Sequence, residues 1–405
     1  MLTRRVFLRG SAVVMAGAGT APMWLGRAAA ATQTKRKILV AIFQRGAADG
    51  LNVVAPFADK RYYELRPTIA VQKPGGPQGA IDLDGRFGLN PALQPLKSLW
   101  DKQQLAIVHA AGSPDPSRSH FDAQDYMESG TPGKTSSDGW MNRALAPADA
   151  DTSPVRAVAL AAQMPRTLRG ERSAVSVGDM MSFQMGGQAG VLESMYGTAA
   201  DSRLGSTGRD AFAAMKMIRS VTQQPQQQPF NQAQMQLYAQ GGELGRSLQQ
   251  LARLIKADIG VEAAFAEIGG WDHHSNEPGQ LGILLRQFAF ALDGFYKDLG
   301  DRMEDVAIVT MSEFGRTAQE NGTNGTDHGH GGVMMLLGGS IRGGKVYGQW
   351  PGLEREQLYE NRDLAVTTDF RDVLGELVAG HLGQKNLAPV FPGFKPSKAL
   401  QFLRA

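Results

Sequence analysis

The run K-I-L-V-A-I-F-Q, Lys37 to Gln44, decides the fold class. Six consecutive apolar residues with no polar alternation cannot make a strand with one wet face; they suit a strand covered on both faces. Runs of the same kind recur at Gln104 to Ala111, Val155 to Ala161, Val261 to Ile268, Asp305 to Met311 and Val333 to Leu337. Helix-like periodic segments lie between or beside them: Pro91 to Asp101, Ser119 to Ser129, Arg209 to Val221, Ala233 to Ile259, Gly279 to Leu299 and Asp369 to Leu382. This alternation predicts an α/β protein, a three-layer sandwich with a central, mostly parallel sheet.

One stretch interrupts the rhythm. T-Q-Q-P-Q-Q-Q-P-F-N-Q, residues 222–232, is polar and low in complexity. Strand signals resume beyond it, so it is expected to be an exposed joint inside a single domain covering 32–405.

In open α/β sheets ligands bind beyond the carboxyl ends of the strands, and five such loops carry dense polar clusters. After the first strand, Q-R-G-A-A-D-G-L-N offers Arg45, Asp49 and Asn52. After the second, His109 is followed by S-P-D-P-S-R-S-H, in which Arg118 can clamp an anion, Ser119 opens a helix and His120 follows. Capping of the helix is the plain alternative for Ser119, but it does not explain a histidine. G-G-W-D-H-H then supplies Asp272, His273 and His274. S-E-F-G-R-T supplies Glu313 and Arg316, for which a mutual surface ion pair is the alternative. G-T-N-G-T-D-H-G-H-G-G supplies Asp327, His328 and His330 in a stretch too rich in glycine for a core. Six of the seven histidines fall in or beside these loops, and only His381, in the last amphipathic helix, is expected to be structural. The chain has no cysteine, so a metal must be held by nitrogen and oxygen: a divalent cation such as zinc, manganese, calcium or magnesium.

Working outward to the N-terminus, T-R-R-V-F-L-R places Arg4 and Arg5 side by side before a short apolar stretch and an A-x-A site at Ala28 to Ala31. This predicts a cleavable twin-arginine signal peptide over 1–31, export by the Tat translocase to the periplasm or beyond, and a mature protein with no membrane span. The leader holds four of the 42 basic residues and no acidic one; without it 38 basic residues face 39 acidic ones. The net charge of +3 therefore belongs to the leader, and nucleic acid is not an expected partner. G-S-I-R-G-G-K-V, residues 339–346, nearly spells a phosphate loop, but Val346 stands where a hydroxyl must hold magnesium and no helix follows. No dinucleotide fingerprint follows the first strand either.

The leader, R-G-A-A-D-G-L-N, R-S-H-F-D-A-Q-D-Y-M-E-S-G, G-G-W-D-H-H, S-E-F-G-R-T and T-D-H-G together resemble an exported bacterial family known as domain of unknown function 1501. The resemblance runs in order along the mature chain. It implies the alkaline-phosphatase-like superfamily, whose members carry one or two metals at the strand ends and attack phosphorus or sulfur from a helix N-terminus. By that resemblance Ser119 corresponds to the nucleophile and Asp49 to an early metal ligand. Asp272 and His274 correspond to a ligand pair, and Asp327 with His328 or His330 to the last ligands. The family pattern departs at Glu313-Phe314, where active superfamily members usually carry Asp-His. One metal instead of two, replacement of the pair by Asp327-His328, and loss of catalysis all remain open at this point.

These features lead to the expectation of a metal-dependent hydrolase or transferase acting on a small phosphate or sulfate ester. In it Ser119 attacks, Arg118 or Arg316 clamps the anion, and His120 or His274 protonates the leaving group. Arg45, Asn52 and His109 are further candidate substrate contacts. The rival is a periplasmic binding or scaffolding protein that keeps the fold without the chemistry.

Overall fold

The computed structural model describes residues 36–133, 136–149, 152–180, 202–223, 231–397 and 399–404. The expected signal peptide, 1–31, and residues 224–230 of the Gln/Pro joint lie outside the described residues. The strands are β1 (Ile38–Gln44), β2 (Val54–Ala55), β3 (Ile81–Asp82), β4 (Gly88–Leu89), β5 (Leu105–Gly112) and β6 (Ala157–Ala159). They continue as β7 (Val175–Ser176), β8 (Ala263–Ile268), β9 (Val306–Met311), β10 (Gly332–Gly338), β11 (Lys345–Tyr347) and β12 (Thr368–Asp369). Nine form one sheet in the order β11-β5-β10-β9-β1-β8-β6-β7, with β12 also on β5; β2, β4 and β3 form a small antiparallel sheet. Every pairing in the large sheet is parallel except those of β10, which runs antiparallel to both β5 and β9. The chain is therefore α/β with a large, mostly parallel mixed sheet. The six long apolar runs are its inner strands, while the short β7, β11 and β12 carry too little pattern to be seen in the sequence.

The helices are α1 (Gly50–Val53), α2 (Lys60–Leu65), α3 (Lys97–Asp101), α4 (His120–Ser129) and α5 (Trp140–Ala144). They continue as α6 (Ser202–Gln223), α7 (Gln232–Gln240), α8 (Gly242–Lys256), α9 (Glu277–Leu299) and α10 (Phe370–Gly380). All of β1 is buried, and its residues alternate between two apolar clusters. Ile38, Val40 and Ile42 join Leu248 and Leu251 of α8 and Leu285 and Phe288 of α9. Leu39, Ala41 and Phe43 join Met127 of α4, Trp140 of α5, and Phe370 and Leu374 of α10. Each large apolar side chain buried this way contributes roughly 1.5–3 kcal/mol, which is why β1 needs no polar face.

The helix expected over Ala233 to Ile259 is two helices. Gly241 lies against α9, where an added Cβ would sit 2.9 Å from the Ala291 Cα, and Gly242 has φ +61°. The glycine pair lets the chain turn so that α7 and α8 each pack on α9. Among the described residues, no helix is long and apolar enough to cross a membrane.

Candidate metal centre

The sheet ends its strands level with one another. Gln44 of β1 stands opposite Ile268 of β8, and Phe43 opposite Met311 of β9, so the three following loops emerge at one edge. β10 reaches the same edge by its amino end because it runs backwards. Had it been parallel, Asp327 and His328 would stand at the far edge of the sheet. Gly46, at φ +118°, passes so close to the third loop that a Cβ there would lie 2.7 Å from the Asp272 nitrogen. Gly329 packs likewise on the Arg316 backbone. These contacts draw the loops together around a small group of side chains.

His120, Asp272 and His328 place one ligand atom each within 4.8 Å of one another. The Nε2 atoms of His120 and His328 are 3.1 Å apart, and Asp272 Oδ1 is 3.3 Å from His328 Nε2. Asp272 Oδ2 lies 3.5 Å from His120 Nε2. The opposite ring nitrogens are already engaged. His120 Nδ1 is 2.8 Å from Glu313 Oε1, and His328 Nδ1 is 3.0 Å from the Arg118 carbonyl. A carbonyl oxygen only accepts, so His328 carries its proton on Nδ1 and turns the Nε2 lone pair inward; the Glu313 carboxylate does the same for His120. Two lone pairs and a carboxylate converging at these distances need positive charge between them, from protons or from a cation. Histidines that bind metal hold their second nitrogen in this manner.

His274 stands beside this group. Its Nε2 is 3.1 Å from His328 Nε2 and 3.0 Å from Asp272 Oδ1, and its Nδ1 is 3.0 Å from Asp327 Oδ1. Each of its ring nitrogens thus faces a carboxylate oxygen.

The electrostatics follow from these pairings. Burial works to raise the Asp272 carboxyl, but the hydrogen bond and charge of Arg316 outweigh it and hold it below the usual carboxylate range. Burial likewise opposes ionisation of Glu313, and hydrogen bonds from His120 and Gln124 outweigh it. The bond to Glu313 raises His120, whereas burial and the charge of His120 lower His328. Hydrogen bonding from His274 lowers Asp327. Glu313 is fully buried and acts from behind: its Oε1 accepts from His120, from the Gly46 nitrogen at 2.8 Å and from Gln124 at 2.9 Å.

The remaining sequence candidates lie around the centre in other pairings. Ser119 caps α4, and its hydroxyl accepts from the Asp122 nitrogen at 3.5 Å, a long contact. Asp49 caps α1 and is bound through both carboxylate oxygens by the fully buried Arg66. Asn52 bonds Glu277, Tyr62 and the Ile69 carbonyl. Arg45 pairs with Glu128 and Glu267, and Arg118 with Asp363 and Glu360. Arg316 is fully buried, donating to Asp272 and to the carbonyls of Gly46, Ala47, Trp271 and Thr326. The alternative of a surface pair between Glu313 and Arg316 does not hold, since both are buried and each has other partners.

His109 is buried, with Nε2 2.9 Å from the Val54 carbonyl and Nδ1 accepting from the Ala110 nitrogen. His273 is buried with Nδ1 unpartnered among the described residues. His330 stacks on Tyr359 at 4.2 Å between centroids. His381, at the end of α10, bonds Ser340 and the Ile38 carbonyl.

Sequence reasoning missed the groups that hold these residues in place. Gln124 was within reach, since it lies four residues past His120 on one helix face. Arg66, Glu277 and Asp363 act across long chain separations and leave no local signal.

A comparison with curated proteins finds no match. A family model described as protein of unknown function (DUF1501) matches residues 100–385, a span that holds His120, Asp272, His274, Glu313 and His328 but not Arg45, Asp49 or Asn52. Since the match covers more than half of the chain, this protein belongs to the DUF1501 family.

Proposed function

We propose that this chain is an exported, metal-binding protein that binds one divalent cation between His120, Asp272 and His328 and acts there on a small phosphate or sulfate ester. The observation that carries the reading is the inward-facing pair of Nε2 atoms, each ring held at Nδ1 by Glu313 or by the Arg118 carbonyl, against the Asp272 carboxylate. The donor set of two imidazoles and one carboxylate suits zinc or manganese. Such a cation, when bound, offsets negative charge gathering on the ester oxygens.

The chain's own residues supply the rest. Ser119, adjacent to His120 at the start of α4, is the proposed nucleophile, and its long cap contact leaves the hydroxyl weakly engaged. His274, held by Asp327 and facing Asp272, is placed to give a proton to the leaving oxygen. Phe314 packs against the rings of His120 and His328 at 5.0 and 5.1 Å between centroids, so the wall where a second cation would need a ligand is apolar. That supports one cation over two.

The alkaline-phosphatase-like superfamily and its three-layer architecture fit a mostly parallel sheet with an apolar cluster on each face and a site at the carboxyl ends of its strands. Export by the Tat route to the periplasm rests on Arg4, Arg5 and the leader that follows them.

One observation favours a second reading, a binding or scaffolding protein without catalysis. Arg45, Arg118 and Arg316, the arginines that could clamp an ester anion, are all committed to internal carboxylates. The test is turnover of aryl phosphate and aryl sulfate esters by cation-loaded protein, with Ser119→Ala beside it. Turnover lost in the variant while the cation stays bound supports the hydrolase. A bound cation with no turnover of either ester class supports the binding protein.

A further inference from the structure

A cavity whose lining shares no residue with the histidine group lies between the start of α9, the segment 69–78 and the 3₁₀ turn Pro91–Leu96. Its volume is about 800 Å³, within the range of small-molecule sites. Only one of its lining residues, Arg286, is charged. Its side chain is solvent-exposed and makes no ion pair or hydrogen bond among the described residues, and the same holds for the side-chain amides of the lining residues Gln72, Gln78 and Gln94, so all four are free to turn to a ligand. Asn52 and Asn90 also line the cavity but are bonded within the chain, Asn52 to Glu277 and Tyr62 and Asn90 to the Asn52 carbonyl. The apolar part of the lining includes Ile69, Val71, Phe290 and Ile283, which is one of three large apolar side chains exposed among the described residues.

The floor gives an independent indication. Gly279, Gly282, Ile283, Arg286 and Phe290 follow a helical stripe along α9. Glycine inside a helix lowers its stability and is usually repaid by close packing. At Gly282 there is no such packing: an added Cβ would meet nothing within 4 Å. The helix is bare where the cavity is open, which lets another molecule approach its backbone.

We propose that this cavity binds a small organic monoanion: a carboxylate with an apolar body, its charge on Arg286, its polar atoms on the glutamine amides and its body over Gly282 against Phe290. The single unpaired cation, with no acid among the lining residues, sets the charge of the ligand. Ile69, Val71, Ile283 and Phe290 give the body of an organic anion apolar surface that a bare inorganic anion could not use.

The test measures calorimetric binding of hexanoate, 4-phenylbutyrate and N-acetylproline, each beside its uncharged primary amide, to the mature chain. At least one carboxylate is expected to bind about tenfold more tightly than its amide, with that preference abolished in Arg286→Ala. Gly282→Phe, whose ring would fill the open floor, is expected to keep the wild-type melting temperature and lose binding. Carboxylates that bind no better than their amides would overturn the proposal. So would binding that both variants leave unchanged. If Gly282→Phe fails to fold, Arg286→Ala alone decides between these outcomes.

Discussion

The Nε2 atoms of His120 and His328 face each other at 3.1 Å, although the two residues lie 208 positions apart in the chain. Each ring is held from behind, one by a buried carboxylate and the other by a backbone carbonyl. Two bare lone pairs would repel at this distance, so either a proton on His120 or a cation is held between them.

Glu313 should therefore act on the cation through His120 without touching it. Glu313→Gln keeps the shape and an oxygen for the Gly46 nitrogen but loses the charge at His120 Nδ1. Cation affinity is expected to fall about 10- to 100-fold. Titration of apo protein with zinc would measure this, and circular dichroism should show the fold retained. An unchanged affinity would mean that His120 is not a ligand.

Asp49 answers to a different partner. Burial works to raise its carboxyl, and Arg66 holds it ionised; Glu277, beside it, is pushed well above the ordinary range by burial and by the Asp49 charge. Asp49→Asn leaves Arg66 buried without its counter-charge, at a cost of about 3–5 kcal/mol. The expected result is a large fall in urea midpoint with unchanged cation content per folded chain. Loss of the cation without loss of stability would return Asp49 to the metal site.

The buried histidines away from the centre set the acid limit of the fold. Burial lowers both His109 and His381 from 6.5 to about 4. For His109 the reason is visible in its bonds: Nε2 donates to the Val54 carbonyl and Nδ1 accepts from the Ala110 nitrogen, so a second proton would face a donor. A histidine lowered by folding contributes stability that is complete above pH 6.5 and is lost as pH falls towards 4. The shift corresponds to roughly 3 kcal/mol for each residue. Urea denaturation of cation-free protein between pH 7 and 4 should show this decline, and His109→Gln should flatten part of the slope. A stability that stays level over this range would contradict the assignment of buried neutral rings.

Much of this was legible in the sequence, for reasons of chemistry. An inner strand buried on both faces is apolar over most of its length, so β1, β5, β8, β9 and β10 announce themselves despite His109, Glu267 and Thr310. Strand-end loops rich in histidine and aspartate do so too. The direction of β10 was hidden, because Val333 to Leu337 has the same pattern whichever way it runs, yet that direction brings His328 to His120. The break at Gly241 was written in the glycine pair, but its cause, the approach of Ala291 on α9, lies 50 residues away. The division between residues at the centre and residues behind it was also hidden. Asp49, Glu313 and Asp272 are all carboxylates in strand-end loops, and only Arg66, Gln124 and Arg316 tell them apart.

The most direct test is elemental analysis of the protein purified without chelators. The predicted result is about one divalent cation per chain, lost in His120→Ala combined with His328→Ala while the fold persists. A well-folded wild-type protein that holds no cation and takes up none on titration with zinc, manganese, calcium or magnesium would contradict the account. The facing histidines would then be bridged by a proton alone.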